Sequence, residues 1–213
     1  MPTVYGVSPS PFVRKVLVAL AEKGIDYDHE IVSPFDKKPE YLEISPLGKV
    51  PAFRDGDTAF SDSSVILAYL EKTRPEKPLY PEDPADYARA LWLEEYADSK
   101  LSDVIGTAFF NRVVKVKLMG GESDEAAVKT ALEQELPGCL DYLEGQISDR
   151  EFFVADRFTT ADISVATMLV QLRHAGEKVD ATRWPKLAAW FERVVARPSF
   201  QACLEQDKGM LGG

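Results

Sequence analysis

Along the first third of the chain the spacing of apolar and polar positions changes several times. Residues 3–7 form a short apolar run that predicts a strand. From Phe12 to Lys23, Val13, Val16, Leu17, Leu20 and Ala21 recur at helical spacing, and Gly24 stands where a C-cap belongs. YDHEIV (27–32) alternates and predicts a half-buried strand, whereas 33–47 has no clear period. VPAFRDGDTAF (50–60) reads as two short strands about Asp55-Gly56, a strong hairpin signal. SSVILAYLEK (63–72) then predicts a helix with Val65, Ile66, Tyr69 and Leu70 as its apolar face. Strand, helix and strand followed by a hairpin and a helix combine a parallel crossover with antiparallel pairing. That order predicts a small α/β domain on a four-stranded mixed sheet.

The pattern then changes. RPEKPLYPEDP (74–84) holds four prolines in eleven residues, so it cannot continue the helix and reads as a linker. Beyond it strand alternation does not return. Leu91, Leu101, Ile105, Phe109, Val113 and Val116 mark a long helix over 85–118, with a bend or break expected near Gly106. The GGE turn at 120–122 separates it from a helix running to about Ile147, and Thr160–Ala175 and Pro185–Ala196 predict two more. The expected domains are 1–76, α/β; 77–85, a proline-rich linker; and 86–213, all-helical.

Composition narrows the function. With 45% hydrophobic and 28% charged residues over 213 positions, the chain has the make-up of a soluble globular protein able to bury a core. Its net charge of −10 argues against nonspecific binding to nucleic acid or anionic membranes. No apolar run approaches ~20 residues, and no signal-like N-terminus is seen. Cys139 and Cys203 lie far apart, so a disulfide framework or cysteine metal site is not expected and a cytoplasmic location is. His29 and His174 stand alone, with no triad or metal partner beside them.

Three stretches offer chemistry. In GVSPSPFVR (6–14), Ser10 precedes Pro11 at a helix start, a good N-cap arrangement. A helix start also holds anions, so the Ser10 hydroxyl and the first free N–H groups could face a thiolate instead. In SPLGKVPAF (45–53), Gly48 permits a tight turn and Lys49 offers a cation to a carboxylate. Pro51 marks an edge where Val50 could pair its N–H and C=O with an extended ligand if the bond between them were cis. In FSDSSVILAYL (60–70), Ser61, Asp62, Ser63 and Ser64 crowd a second helix start. One of them is a cap; the cluster could also bind a carboxylate and offer Asp62 to an ammonium. Together these suit a zwitterionic, peptide-like ligand that carries a thiol.

In order and spacing, these motifs resemble the cytosolic glutathione transferase family, and the resemblance covers the whole chain. Ser10 falls where serine-type branches, theta-, tau- or phi-like, place their catalytic residue. GKVP resembles the family's segment before its cis-proline, DSSVILAYL its acidic-Ser motif, and FTTADISVA (158–166) its N-capping box, with Thr159 as cap and Asp162 three residues on. The resemblance implies a thioredoxin-like N-terminal domain holding glutathione, with Ser10 donating to the sulfur and stabilising its thiolate. Val50 beside Pro51 would pair with the cysteinyl backbone, and Asp62 and Ser63 would hold the γ-glutamyl end. Lys49, and less directly Lys37, would reach the glycine carboxylate, and Phe12 would wall the pocket. The helical domain would supply an apolar electrophile site around Phe109, Phe110, Arg112 and Val113, although an aromatic pair on a helix is also ordinary core packing. No metal is implied; a homodimer is. Asp62 stands for the commoner Glu, and Ala155 stands where many members have Gly. Tyr5 invites comparison with tyrosine-using branches, but it lies inside the strand.

The leading function is therefore addition of the glutathione thiolate to an apolar electrophile. A non-catalytic glutathione or ligand-binding scaffold of the same fold is the alternative from another class. Peroxide reduction and isomerisation would use the same thiolate. Thiol-disulfide exchange is disfavoured because a hydroxyl at position 10 cannot form a mixed disulfide.

Overall fold

A computed structural model describes residues 1–35 and 38–212. The chain packs as two units, one of residues 1–79 together with the segment from Pro198 onward, the other Tyr80–Arg197. The first unit opens with β1 (Thr3–Tyr5), α1 (Pro11–Lys23), β2 (Asp28–Glu30), α2 (Pro39–Ile44), β3 (Ala52–Asp55), β4 (Thr58–Ser61) and α3 (Ser63–Thr73). β1 pairs in parallel with β2 and antiparallel with β3, and β3 pairs antiparallel with β4. The resulting order, β2-β1-β3-β4, is the four-stranded mixed sheet that the periodicity predicts, in a thioredoxin-like arrangement.

Val4 and Phe53, opposite each other in the β1–β3 register, enter a core with Val16, Leu17 and Leu20 of α1 and Ile66, Leu67 and Leu70 of α3. Each is at most 2% exposed, and burying a side chain of this size contributes about 1.5–3 kcal/mol. Three sequence expectations shift. Ala21 is exposed at the end of α1. Val65 is 52% exposed, because α3 turns Ile66, Leu67 and Leu70 inward instead. The stretch without a clear period contains α2, a helix of six residues, too short to show a repeat.

The second unit is helical: α4 (Pro84–Tyr96), α5 (Ser102–Phe109), α6 (Glu125–Thr130), α7 (Leu136–Ile147), α8 (Thr160–His174) and α9 (Pro185–Val195). Residues 84–118 stay helical throughout. The expected break near Gly106 is absent; that glycine lies within α5, and the departures from α geometry are π-helical stretches at Ala97–Leu101 and Phe110–Leu118. Helix α8 is buried from Thr160 to Leu172 and forms the centre of this unit. Its start carries the predicted capping box: Asp162 accepts from the Thr159 N–H and hydroxyl, and also from the Phe153 N–H and Trp190 Nε1.

The last helix, α10 (Pro198–Leu211), packs on α1 and so belongs with the α/β unit, not with the helical domain expected to run to the C-terminus. The proline-rich stretch is held by hydrogen bonds on each side of Leu79–Tyr80. The Leu79 N–H donates to Glu71 in the first unit, and the Tyr80 hydroxyl donates to Glu94 in the second.

Candidate active site

The end of β1 turns into α1 through Gly6–Ser10. Gly6 adopts φ +145°, and a Cβ there would lie 2.5 Å from Val13 Cγ2 and 3.2 Å from Val50 Cβ. Glycine thus lets the strand end, the start of α1 and the Val50 segment approach closely. The Nε2 of His29, 3.0 Å from the Gly6 carbonyl, holds the same turn, and its burial lowers the imidazole pKa. That is a structural role, in line with its isolation in the sequence.

Ser10 occupies the N-cap of α1 in extended geometry, φ −69° and ψ 127°, with Pro11 beginning the helix. Its side chain nevertheless makes no capping bond. The Arg14 N–H donates to the Ser10 carbonyl, so the Phe12 and Val13 amides are the first-turn donors left to an incoming group. Ser10 and Phe12 are both half-buried, within reach of solvent. Ser8, the other serine of the motif, is fully buried and donates to Met210 Sδ.

The Val50–Pro51 bond is cis. The carbonyl of Lys49 is pinned by the hydroxyls of Tyr41 and Ser45, each at 2.7 Å. Val50 follows just before β3, and its amide and carbonyl take no partner among the described residues. The exposed Lys49 ammonium makes no ion pair among them either. Lys37 lies outside the described residues.

The Asp62 N–H donates to the Pro51 carbonyl at 3.4 Å, which joins this edge to the second helix start. Asp62 is the N-cap of α3; its Oδ1 accepts from Ser64 N at 2.9 Å and Val65 N at 3.1 Å. That leaves Oδ2 for a ligand. Its φ of +89° is a conformation that costs a non-glycine residue about 1–3 kcal/mol and concentrates at ligand sites. Ser63 beside it is 3% exposed. Lys15, buried in α1, donates to the Ser64 hydroxyl and ties the two helix starts together.

These contacts bring Ser10, Phe12, Val50, Pro51, Asp62 and Ser63 to one end of the sheet. Tyr5 is not among them. Its hydroxyl accepts from Arg54, and its ring lines a separate cleft of ≈ 350 Å³ with Tyr41 and Arg54 that none of those six residues lines. Nor do the four candidate electrophile residues form one surface. Phe109 and Val113 are 8% and 1% exposed, because the Leu101, Ile105, Phe109, Val113 repeat faces the core of the helical unit. His174 packs against Phe109. Arg112 is engaged by Glu125, Glu177 and the Ala175 carbonyl, whereas Phe110 is 45% exposed. Gly6, Arg14 and Lys15 are the site-shaping residues that the motif reading passes over. The signal for them is a pair of adjacent cations within a helix that is apolar on both sides of them.

Comparison with known proteins agrees with this fold. Residues 4–78 match the family model of the glutathione S-transferase N-terminal domain, and residues 126–193 that of its C-terminal domain. A glutathione S-transferase 3 from Zea mays is 30% identical over 205 residues, covering 93% of this chain and 90% of the maize protein. The structure of a glutathione S-transferase from Rhodospirillum rubrum superposes with a TM-score of 0.88 at 29% identity, covering 96% of this chain and 92% of that one. Another, from Methylobacterium radiotolerans in complex with glutathione sulfonate, gives 0.79 at 31% identity, covering 95% and 93%. The chain belongs to the glutathione S-transferase family.

Proposed function

We propose that this glutathione transferase activates the glutathione thiol with Ser10 and adds the thiolate to an apolar electrophile. The observation that carries the reading is the Ser10 hydroxyl, placed at the head of α1 yet free of any capping bond. Magnitudes favour this hydroxyl over the helix alone. Lowering a thiol pKa by ~2 units takes about 2.7 kcal/mol. A helix N-terminus contributes ~0.3–2 kcal/mol, and one hydrogen bond to a charged group about 1.5–3. Dipole and hydroxyl together reach the requirement.

In this reading the thiol loses its proton to solvent on binding, and the Ser10 O–H donates to the resulting sulfur anion. The Val50 amide and carbonyl pair with the cysteinyl backbone, and Lys49 attracts the glycine carboxylate. Asp62 Oδ2 faces the γ-glutamyl ammonium, Ser63 lies beside it, and Phe12 shields the sulfur from water. Among the four candidates on the helical unit, Phe110 presents an open apolar ring to an electrophile. A homodimer and a cytoplasmic location are part of the same proposal. Both cysteines are buried, and burial pushes the Cys203 thiol up to about 12, which gives thiol-disulfide exchange no accessible nucleophile among the described residues.

The test is Ser10→Ala assayed with glutathione and an aryl halide. The expected outcome is a kcat lowered about 100-fold, the scale on which a transition-state anion donor acts, with glutathione affinity changed only a few fold. An unchanged kcat would remove Ser10 as the activating group. Retention of the wild-type chain on a glutathione resin, with no turnover across a broad electrophile panel, would favour the scaffold reading instead.

A further inference from the structure

Arg14 and Asp207 form an ion pair at 2.6 Å with both side chains 0% exposed. A fully buried pair is a costly way to hold two helices together, since apolar residues of similar volume do so as well or better. Arg14 has a second contact that an apolar residue would lack: its Nη2 also donates to the Pro9 carbonyl at 3.4 Å. That carbonyl belongs to the Pro9–Ser10 peptide, whose N–H end donates to the Val7 carbonyl at 3.0 Å. Both ends of the peptide plane leading into Ser10 are therefore held. The Ser10 carbonyl in turn accepts the Arg14 N–H at 2.9 Å. With the planes on both sides of Ser10 anchored, its φ and ψ are set; they fix the direction of the Cα–Cβ bond and restrict the rotamers open to the hydroxyl.

Helix α10 reaches the same region through further contacts. Met210 Sδ accepts from Ser8, and at the far end of α1 the Ser199 hydroxyl donates to Glu22 at 2.5 Å. Asp207 thus sits on a helix fastened along the whole of α1, and a carboxylate there fixes where the Arg14 guanidinium can lie.

We propose that Asp207 and Arg14 are positioning residues, which clamp the Pro9–Ser10 peptide so that the Ser10 hydroxyl points at the glutathione sulfur. The inference rests on Ser10 being the activating group. It adds a specific role for the C-terminal helix, acting from the interior of the α/β unit.

Two variants separate positioning from stability. Asp207→Asn leaves the guanidinium without its anion, and the double variant Arg14→Met/Asp207→Leu replaces the pair with apolar volume while removing the clamp. The double variant is expected to keep a cooperative thermal transition. Its kcat with an aryl halide should nevertheless fall about tenfold, within the range of up to ~100-fold that misplacement of a reacting group can cost. The pH at which bound glutathione ionises, read from thiolate absorbance, should rise with it, while glutathione KM changes less than threefold. A merely structural pair would not move that ionisation.

The same substitutions are then placed in a Ser10→Ala background. Positioning through Ser10 predicts that they cost nothing further there. A double variant with wild-type kcat and ionisation, or one whose loss is undiminished in Ser10→Ala, overturns the clamp while leaving the role of Ser10 standing. A Ser10→Ala enzyme that is itself fully active removes the underlying reading, a result distinguishable from either of those.

Discussion

Ser10 and Gly6 show how single residues set the chemistry of this corner. A serine before a proline at a helix start is expected to spend its oxygen on the helix N–H groups. Here it does not, and both the first-turn amides and the hydroxyl are left without a capping bond between them. Asp62 does the opposite: it caps its helix with Oδ1 and keeps Oδ2 available. Gly6 makes the arrangement possible by having no Cβ. Gly6→Ala would place a methyl 2.5 Å from Val13 and require a positive φ of +145° from an alanine. It is expected to destabilise the fold by about 2–4 kcal/mol, from overpacking and backbone strain together. Chemical denaturation checks this, and a loss below about 0.5 kcal/mol would show that the turn relaxes freely.

Ala155 offers a contrasting case. It has φ +57°, so this turn before α8 keeps a left-handed residue without the glycine found in many family members. Ala155→Gly should stabilise the protein by about 1 kcal/mol by relieving that conformation. For a chain of this size that raises Tm by about 2–4 °C. A lower Tm would show that the alanine methyl contributes packing of greater value.

Among the elements, the start of α8 carries a heavily bonded, fully buried acid. Asp162 is fully buried and takes four donors, and burial outweighs them to move its carboxyl up to about 6. An unfolded aspartate titrates near 3.9. Between about pH 4 and 6 the native state therefore binds more protons than the unfolded chain, so this residue's contribution falls as pH rises and is level beyond pH 6. The swing is about 3 kcal/mol. Asp162→Asn should destabilise the protein throughout, because its amide nitrogen meets N–H or O–H donors whichever way it is turned. Denaturation of both proteins from pH 4 to 7 checks the sign: the wild-type advantage should shrink as pH rises, and growth of that advantage would contradict the shift.

The elements also show what the sequence makes legible. Asp55-Gly56 predicts the hairpin, and Gly24 the end of α1, because turns and caps depend on local backbone freedom. Helix α2 is hidden because six residues complete too few turns for a repeat. The π-helical stretches at Ala97–Leu101 and Phe110–Leu118 are hidden because side-chain period does not report a widened backbone turn. Phe109 and Val113 look like a ligand surface until burial is known; an apolar repeat on a helix reads alike in both roles.

For the whole molecule, division of the chain depends on long-range contacts that no local pattern carries. The proline-rich stretch marks a boundary, and the structure divides the chain there between Leu79 and Tyr80. The return of α10 to the α/β unit is invisible in sequence, since Arg14 and Asp207 are 193 positions apart. Its physical sign is the burial of Arg14 and Lys15, which a helix covered on one face would leave in water. The helix starts, the Val50–Pro51 edge and the acidic-Ser cluster are each legible as motifs, while their meeting at one end of a sheet is a property of the fold.

The central claim is that the Ser10 hydroxyl, together with the head of α1, lowers the pKa of bound glutathione. The most direct measurement is ultraviolet titration of the thiolate in the complex against pH, for the wild type and Ser10→Ala. The wild-type complex is expected to ionise about 2 units below free glutathione, and Ser10→Ala to recover at least about 1 of those units, the share one hydrogen bond to a charge supplies. A wild-type complex that ionises at the same pH as free glutathione, or a variant indistinguishable from the wild type, would contradict it.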